Sequence, residues 1–509
     1  MTRIRRVTTT TTTSRLRNTV YPAPLALAIA LSFNTHAATI VVDSADAFSE
    51  AGKCTIVDAV AAVNSATGVN GCIAGDGDND TIDLNGFTSP TTITFTSVVA
   101  MQTHALSLSQ PVTISGPLDP TGKPLVTLTR STASGTPSFG IIGSSSALTL
   151  SGLEITNGNS GLYLGGGVLS SGVLTITSSV ISGNSSDSAG GGVASTGPVY
   201  IHSSIISDNS AGNAGGGLYG GARVQILDST ISGNSTKGAT SNFNGGGGVF
   251  ATGNVGIFNS DILNNTSASA AGGAYGTQGM NIAGSTISGN IASNGSGGGL
   301  YTNPASVGTN IAITGSTIDS NTAHGNGGGV RGGGVGIENS TLTGNVASGT
   351  GGGVQAGDLM TNYATIAQNQ STGAGGGANF DSSADMDATI VYGNTSGSSA
   401  PDDVATAGTA AITGKFDIIG VSSAAVPSGT STCDPQLGSL ADNGGPTMTM
   451  ALPAGSCAID AADSTVSAAT DQRGFPRPFG STTPAIADIG AYEAGSKDPD
   501  VVFSDGFDG

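Results

Sequence analysis

Side chains able to perform acid–base chemistry are few in this 509-residue chain, of which only 10% is charged. Cleavage of a polysaccharide needs two carboxylates, often with a cation or a basic residue, that converge on one face. Between residues 158 and 380 the acidic residues, the arginines and the histidines fall singly at different positions of the local sequence pattern. They are Asp187, Asp208, Asp228, Asp261, Asp319, Glu338, Asp358, His202, Arg223, His324 and Arg331. This scatter predicts no catalytic constellation.

Two acidic segments could hold a cation, because calcium prefers several oxygen ligands. The denser segment consists of Asp381, Asp385, Asp387, Asp402 and Asp403. A solvated acidic loop has the same composition and is the commoner occurrence. The other segment, residues 76–80, is similar to a calcium loop but lacks a Glu seven residues after its glycine. The sequence therefore predicts no metal or cofactor residue, and weak calcium binding stays an alternative.

Four cysteines fall into two sequence-local pairs, Cys54 with Cys72 and Cys433 with Cys457. A zinc site would need CxxC spacing or clustered histidines, and the sequence has neither. In an exported chain the pattern favours two local disulfides. Each would close a loop of about twenty residues and contribute on the order of 3 kcal/mol to stability.

The first 37 residues have the pattern of an export signal. Five arginines precede a short apolar core from Leu25 to Phe33, and Ala37 offers a small residue at the expected cut. The apolar core is shorter than the roughly 18 residues that a membrane-spanning helix needs. A mature chain from Ala38 carries 10 − 34 = −24 formal charges, since all 34 acidic residues but only 10 of the 15 basic ones follow the cut. A charge of this sign excludes nucleic acid as a partner.

An internal repeat dominates the rest of the chain and decides the fold class. A phrase similar to Ser-Thr-Ile-Ser-Gly-Asn recurs at spacings of 24 or 25 residues, with two spacings of 31. The longer spacings are typical of a loop inserted into one turn of a solenoid. The last residue of the phrase is Asn184, Asn209, Asn234, Asn265, Asn290, Asn321, Asn345, Asn369 and Asn394.

Positions at fixed distances from that Asn also repeat. An aliphatic residue lies three positions before it, and an apolar-x-apolar pair lies ten and eight positions before it. The pair has the two-residue period of a strand with one buried face. Glycine runs closed by an aliphatic residue, such as 215–218, suit tight bends or positive φ. Each unit is predicted to contain three strands and three bends. The Asn column can tolerate a left-handed bend and bridge neighbouring turns through its side-chain amides.

Units of this kind bury their apolar faces only by stacking on one another at about 4.8 Å. Helical solenoids are excluded, because triple glycines and β-branched residues recur where a helix needs Ala or Leu. The sequence predicts an all-β protein, a right-handed parallel β-helix of about 25 residues per turn with N- and C-terminal capping regions. Residues 44–63 have the pattern of a short capping helix, which would protect the exposed strand edges at that end.

Both ends of the chain resemble known bacterial domains. Residues 54–60, Cys-Thr-Ile-Val-Asp-Ala-Val, resemble the C-S-L-R-E-A-I signature of the CSLREA domain, with Val57 in place of the family's Arg. Residues 80–84 resemble its D-T-I-x-L phrase, and residues 437–447, 471–478 and 488–493 resemble the choice-of-anchor Q domain. The repeats are similar to passengers of polymorphic outer-membrane proteins. These resemblances imply secreted or surface-displayed proteins with adhesive roles, and they supply no catalytic residue.

We accordingly expect five regions along the chain. They are a signal peptide at 1–37, a CSLREA-like cap with the first turns at 38–115, β-helix repeats at 116–400, a choice-of-anchor Q-like region at 401–493 and a flexible tail at 494–509.

Six tyrosines could stack on sugars if several of them faced one groove. They are Tyr163, Tyr200, Tyr219, Tyr275, Tyr301 and Tyr363. We predict a non-catalytic β-helix, exported to the surface or surroundings of a bacterium, that acts by adhesion or by contact with extracellular glycans or host-cell molecules. A divergent pectate-lyase-like lyase or hydrolase and a structural surface protein are the alternatives, and the sequence leaves the oligomeric state open.

Overall fold

The computed structural model describes residues 37–77, 79–98, 101–238, 245–306, 308–397, 399–462, 468–479 and 485–497. The predicted signal peptide up to residue 36 and residues 498–509 of the predicted tail lie outside this part of the chain. The described residues belong to one compact unit. No helix among the described residues is long and apolar enough to cross a membrane.

Strands of successive turns pair in parallel and in register along the repeats, which confirms the right-handed parallel β-helix. Each full turn offers four strand positions, which we call a, b, c and d in chain order. In one turn they are Val193–Ser195, Val199–His202, Ile205–Ser207 and Ser210–Ala211. The prediction of three strands per turn is wrong, because a further two-residue strand follows each repeat Asn.

The strand bounds are as follows. The a strands are His104–Leu108, Gly140–Ser144, Val168–Ser170, Val193–Ser195, Leu218–Gly220, Val249–Ala251, Ala274–Gly276, Leu300–Tyr301 and Val404–Thr406. The b strands are Thr39–Val41, Asp80–Asp83, Val112–Ser115, Leu148–Ser151, Leu174–Thr177, Val199–His202, Val224–Leu227, Val255–Phe258, Met280–Ala283, Asn310–Thr314 and Ile412–Lys415. Positions a and b merge into one strand at Val330–Glu338, Val354–Asn362 and Ala378–Asp387.

The c strands are Thr91–Phe95, Val126–Arg130, Leu153–Thr156, Val180–Ser182, Ile205–Ser207, Thr230–Ser232, Asp261–Leu263, Thr286–Ser288, Thr317–Asp319, Thr341–Thr343, Thr365–Ala367, Ile390–Tyr392 and Ile418–Ile419. The d strands are Ser185–Ser186, Ser210–Ala211, Ser235–Thr236, Thr266–Ser267, Ile291–Ala292, Thr322–Ala323, Val346–Ala347, Gln370–Ser371 and Thr395–Ser396, followed by the antiparallel Ala400–Pro401. A separate hairpin joins Leu440–Ala441 to Thr449–Met450.

Aliphatic side chains fill the interior of the coil. An aliphatic residue lies three positions before each repeat Asn. All nine of these residues, from Ile181 to Val391, are fully buried. Inward residues of strand b, such as Val224 and Ile226, are equally buried and stack on their counterparts one turn away. Burial of one such side chain contributes about 1.5–3 kcal/mol, so the repeated column supplies the main stabilising term.

The repeat asparagines form a continuous buried ladder. Asn234 donates from Nδ2 to Oδ1 of Asn265 at 2.9 Å and to the carbonyl of Ile206 at 2.9 Å. Its Oδ1 accepts from the backbone N–H and the Nδ2 of Asn209, each at 3.0 Å. The predicted bridging of turns is therefore confirmed. The ladder ends at Asp403, whose Oδ1 accepts from the backbone N–H and Nδ2 of Asn394 at 2.8 Å.

Left-handed backbone lies next to the ladder rather than in it, so the left-handed bend that the Asn could tolerate is not used there. The residue before the Asn takes that conformation, with φ of 56° at Asp208 and 55° at Asn264. The first glycine of each run does so too, as at Gly215 with φ of 60°. A Cβ on the third glycine, Gly217, would lie 2.9 Å from Cγ of Asn234, so glycine there lets the amide column pack against the backbone.

The N-terminal end carries a helix at Ile56–Ser65, which Thr55 caps by accepting from the backbone N–H of Asp58. This helix packs on the b strand Asp80–Asp83 and on the a strand His104–Leu108, where the apolar interior would otherwise meet water. The cysteines are joined as Cys54–Cys72 beside this helix and as Cys433–Cys457 near the other end.

The C-terminal region divides into two parts. Up to Ile419 the chain continues the coil, and the described residues of 434–497 (434–462, 468–479 and 485–497) then lie along its side against four c strands. We call the turns with c strands Thr317–Asp319, Thr341–Thr343, Thr365–Ala367 and Ile390–Tyr392 the covered turns. The four preceding turns, with c strands from Ile205–Ser207 to Thr286–Ser288, are called the open turns.

Candidate functional site

An aromatic column runs along the outer face of the a strands. Strand pairing places Tyr219, Phe250, Tyr275 and Tyr301 at the same position of four consecutive turns. The rings of Tyr219 and Phe250 stack with centroids 5.5 Å apart, and the next two pairs meet edge to face at 5.1 and 4.9 Å. This geometry stabilises aromatic pairs, so the four rings form a second apolar cluster outside the coil.

Access to this column differs from ring to ring. Phe250 and Tyr275 are buried, whereas Tyr219 and Tyr301 are half-buried and keep part of each ring in contact with solvent. Burial raises the pKa of Tyr275 to about 12, and burial also raises the pKa of Tyr301 against the opposing effect of Arg331. Both phenols are neutral at pH 7, so they can offer ring faces and hydroxyls but no general base.

The same column becomes polar at the next turn. Arg331 pairs with Tyr301, Gln355 with Arg331, and Asn379 with Gln355 in the register of the a strands. Arg331 Nη1 lies 3.9 Å from Asp381 Oδ2, and Gln355 donates from Nε2 to Asp381 Oδ1 at 3.0 Å. Only 14% of the Arg331 side chain is exposed, while 45% of the Asp381 side chain is. A half-buried ring thus adjoins a charged, planar hydrogen-bonding group on adjacent turns.

Three of the six predicted tyrosines share this column, and the other three lie elsewhere. Tyr163 is exposed in a loop, Tyr200 is half-buried on strand b, and Tyr363 is fully buried. Sequence reasoning missed Phe250 and Arg331 as members of the column. The signal is the residue directly after the aliphatic residue that closes each glycine run, which becomes visible once the turns are aligned.

One pair of residues described as scattered in the sequence is brought together. His202 Nε2 lies 3.5 Å from Asp228 Oδ2, and His202 Nδ1 lies 3.0 Å from Oγ of Ser203. The histidine and aspartate side chains are 47% and 45% exposed, so water screens the pair. Ser203 directly follows His202 in the chain and contacts its Nδ1. In a hydrolase triad the carboxylate binds Nδ1 and the serine binds Nε2, so the two partners are exchanged here. This group therefore lacks the geometry of a nucleophilic site.

Three carboxylates on the c and b strands have no carboxylate neighbour. Burial is the main cause that raises the pKa of Asp261, Asp319 and Glu338, and no neighbouring carboxylate contributes to any of the three. Asp319 accepts from Ser288 Oγ at 3.0 Å, and Asp358 accepts from Ser383 Oγ at 2.7 Å. Sugar cleavage by acid and base needs two carboxyls flanking one bond, which this arrangement does not provide among these residues.

Members of the dense acidic stretch have separate partners. Asp402 Oδ2 accepts from the backbone N–H of Gly375 at 2.8 Å, and Asp385 Oδ1 accepts from Thr413 Oγ1 at 2.7 Å. Asp403 ends the asparagine ladder, and Asp381 belongs to the polar end of the aromatic column. Within the described ranges, no three His, Cys, Asp or Glu side chains are placed to hold a metal ion.

A different carboxylate, Asp417, lies beneath that stretch and was not singled out by the sequence. Its Oδ1 accepts from the backbone N–H of Thr389 at 2.9 Å, and its buried Oδ2 makes no hydrogen bond. Burial is the main cause that raises the pKa of Asp417 to about 8; the charges of Asp387 and Asp385 act in the same direction, and the hydrogen bond from Thr389 opposes them. This residue ends the column of serines that lies five positions before the repeat Asn.

The residues that resemble the choice-of-anchor Q domain form a buried charged cluster at the covered turns. Arg473 Nη2 lies 2.7 Å from Asp471 Oδ2, and Arg477 Nε lies 3.3 Å from Glu493 Oε2, with all four side chains at most 3% exposed. The Arg477 guanidinium also lies 4.1 Å over the ring of Tyr363. Burial raises the pKa of Glu493 to about 7. The cluster is closed to solvent, so its role is to hold residues 471–493 against the coil.

Comparison with known proteins gives the following. No family model and no curated protein matches the chain. Among solved structures, the crystal structure of pectate lyase Pel9A is similar at 12% identity and a TM-score of 0.33, over 90% of this chain and 97% of that one. The A-module of the mannuronan C-5 epimerase AlgE6 of Azotobacter vinelandii is similar at 14% identity and a TM-score of 0.28, over 74% and 94%. Likeness of this extent transfers neither a substrate nor a reaction to this chain, and the fold assignment rests on the strand pairings above.

Proposed function

We propose that this protein is an exported, non-catalytic β-helix that contacts extracellular glycan along the outer face of its a strands. The proposal rests on the pairing of Tyr301 with Arg331 on adjacent turns. At this point of the column an aromatic side chain is followed by a charged side chain that can donate hydrogen bonds. Sugar rings present apolar faces that pack on aromatic rings and hydroxyls that need planar donors and acceptors. Tyr301, Arg331 and the exposed carboxylate of Asp381 offer both within one short stretch of surface.

The repeat geometry also suits a polymer. Successive turns are spaced by about 4.8 Å, and Tyr219 and Tyr301 are three turns apart in the strand pairing. Their accessible ring parts are therefore roughly 14 Å apart along the coil, three strand spacings. Such a separation fits contact with several linked sugars rather than with one. The export signal and the resemblance to surface-displayed families support an extracellular place for this contact.

The test is a glycan array followed by calorimetry with the best ligand, using the purified mature protein with and without calcium. Tyr301→Ala and Arg331→Ala are expected to weaken binding about tenfold each, since each removes a contact worth about 1–1.5 kcal/mol. Tyr163→Ala serves as the control, because Tyr163 is 59% exposed and lies outside the column. Equal loss with the control variant, or binding that survives both column variants, would contradict the assignment of the surface.

The non-catalytic part of the proposal has its own test. The mature protein is incubated with a panel of polysaccharides, again with and without calcium, and reducing and unsaturated ends are measured. We expect neither to accumulate, since Asp261, Asp319 and Glu338 have no neighbouring carboxylate that could share the reaction. Release of either product would overturn the proposal in favour of a lyase or a hydrolase. An array without any bound glycan would favour a purely structural surface protein.

A further inference from the structure

A buried carboxylate lies where the described chain begins. Asp80, the first residue of strand Asp80–Asp83, is 0% exposed. Its Oδ1 accepts from the backbone N–H of Ala38 at 3.1 Å and from that of Asp76 at 3.2 Å. Its Oδ2 is buried without a hydrogen bond. No ion pair found among the described residues involves Asp80.

These contacts leave one oxygen of Asp80 without a hydrogen-bond donor or a cation. A buried carboxylate is costly unless it has a cation or hydrogen bonds to both oxygens. Only one of the two oxygens of Asp80 has donors here, and both donors are neutral peptide groups. A Cβ on Gly75 would collide with Oδ2, so the space beside that oxygen remains open only because residue 75 is glycine.

The nitrogen atom nearest this carboxylate belongs to a fixed part of the chain. Ala38 accepts from the backbone N–H of Thr81 at 2.8 Å, and Thr39 pairs with Thr81 in the first parallel register. The nitrogen of Ala38 is thereby held against Asp80. Ala37, which precedes it, is exposed. The predicted cut of the export signal falls between these two alanines.

We propose that Asp80 is the receptor for a free α-amino group at Ala38, formed when the Ala37–Ala38 peptide bond is hydrolysed during export. Water adds to the Ala37 carbonyl carbon and the C–N bond breaks, which leaves a carboxylate on Ala37 and an amine on Ala38. The amine takes up a proton near neutral pH. A leader peptidase of the exporting cell catalyses the step.

Hydrolysis changes what Ala38 offers to the buried carboxylate. The intact chain supplies one neutral N–H, whereas the processed chain supplies a positive charge and three donors at the same nitrogen. Charge-assisted hydrogen bonds are about twice as strong as neutral ones. A cut one residue away would displace the charge by about 3.3 Å along the strand. The mature fold is thus completed only by processing at this bond.

This inference rests on the export part of the proposed function and is independent of glycan contact. The first experiment is expression of the full chain in an exporting bacterium, followed by intact mass measurement and N-terminal sequencing. We expect a mature chain that begins at Ala38. Any other N-terminus contradicts the inference, whereas loss of glycan binding alone leaves it unaffected.

The second experiment tests the coupling between the amino group and the carboxylate. One glycine is inserted between residues 37 and 38, so that the exported protein carries one extra residue before Ala38. In the presence of Asp80 this insertion is expected to speed amide hydrogen exchange at Thr39–Val41 about tenfold and to lower the thermal midpoint. In an Asp80→Asn background the same insertion is expected to have little effect.

The control is Asp83→Asn, which changes a carboxylate on the same strand whose Oδ1 accepts from Asn85 instead. In this background the insertion should act as it does in the wild type. Should Asp80→Asn prevent folding, N-terminal acetylation of the wild-type protein replaces it, since acetylation removes the charge and keeps Asp80. Equal effects of the insertion with and without Asp80, or no effect of acetylation on exchange at Thr39–Val41, would overturn the proposal.

Discussion

The open and covered turns share the stacked coil and differ in what lies outside it, although three of the four covered turns also merge positions a and b into one strand. In the open turns the first residue of strand c faces solvent, as Ile205 does with 44% exposure. In the covered turns the same position is filled by Thr317, Thr341, Thr365 and Ile390, which are at most 2% exposed. Parallel strand pairing and the asparagine ladder continue through both regions, with one register shift between Ala356 and Asp358 in the covered turns.

The contacts at the covered turns explain which part of the chain lies on them. Thr317 donates from Oγ1 to the carbonyl of Met448 at 2.6 Å, and Thr341 donates from Oγ1 to Gln472 Oε1 at 2.6 Å. Thr365 accepts from the backbone N–H of Ala491 at 3.0 Å. Each bond joins residues more than 120 positions apart in the chain. The buried columns thus stabilise the coil. The first residues of the c strands, which we call the outward column, provide the contacts that attach the C-terminal region.

Replacement of Arg477 is expected to give the largest difference in stability between the covered and the open turns. Its side chain is fully buried, lies beside Glu493 and covers the ring of Tyr363. Arg477→Ala leaves a buried carboxyl without its cation and is expected to cost about 3–5 kcal/mol. Hydrogen exchange measured turn by turn should show lost protection at the covered turns and retained protection at the open ones.

Arg223→Ala is the matched control for Arg477→Ala, since Arg223 lies at an open turn and no ion pair of the described residues involves it. It should leave exchange in both regions unchanged. A uniform loss of protection after Arg477→Ala would mean that the two regions unfold as one unit, and the comparison would then fail.

A smaller effect, equal in both regions, is expected for the asparagine ladder. Asn234→Ala in an open turn and Asn345→Ala in a covered turn each remove an amide that bonds to both neighbouring turns. Several buried backbone and amide groups lose partners, so we expect a cost of about 3 kcal/mol for each. Urea unfolding followed by exchange at the adjacent turns measures both. A much smaller cost at Asn345 would show that residues 434–497 support the ladder from outside.

The comparison also shows what the sequence could predict. The ladder of asparagines, the buried aliphatic column and the fold class follow from period alone, because identical spacing forces identical positions to stack. The fourth strand was missed, since Ser185–Ser186 and its counterparts are two residues long and carry no alternating pattern. The sequence did not show which residue would be left-handed, because Asn at the ladder position and the Gly, Asp or Asn before it all tolerate this conformation.

The repeat pattern could not predict which contacts the outward-facing side chains make. Thr230 in an open turn and Thr341 in a covered turn occupy the same column, yet only Thr341 bonds to the C-terminal region. The pairing of Arg331 with Asp381 likewise depends on side chains two turns apart that no local motif links. The resemblance of residues 54–60 and 437–493 to bacterial surface domains stays a prediction, since no family model matches.

A pH-dependent difference is expected at the end of the covered turns. The serine column is uncharged in the open turns, where Ser204 donates from its backbone to Ser229 Oγ at 3.0 Å, but it ends in the buried carboxyl of Asp417. The pKa of Asp417 is about 8 in the fold, against an ordinary value of 3.8 for an aspartate. The folded state therefore binds more protons between these values, and its stability falls as pH rises through that window.

Asp417→Asn tests this prediction, since the amide keeps the acceptor for Thr389 and cannot ionise. We expect the wild type to lose on the order of 1 kcal/mol per pH unit across this window relative to the variant. Thermal midpoints recorded from pH 5 to pH 9 give the difference. Parallel curves for the two proteins would show that Asp417 does not titrate differently on folding, and Asp385 and Asp387, whose charges act on it, would need their own variants.

The smallest loss of stability is expected when a single hydroxyl of the outward column is removed. Thr341→Val keeps the shape of the side chain but leaves Oε1 of the buried Gln472 without the donor that bonds to it at 2.6 Å. An unsatisfied buried acceptor costs about 1–2 kcal/mol, so the urea midpoint should fall. Thr230→Val makes the same change at an open turn, where no part of residues 434–497 is attached, and it should leave the midpoint within error. Equal shifts for the two variants would mean that the valine itself disturbs strand c, and the outward column would then have no part in holding the C-terminal region.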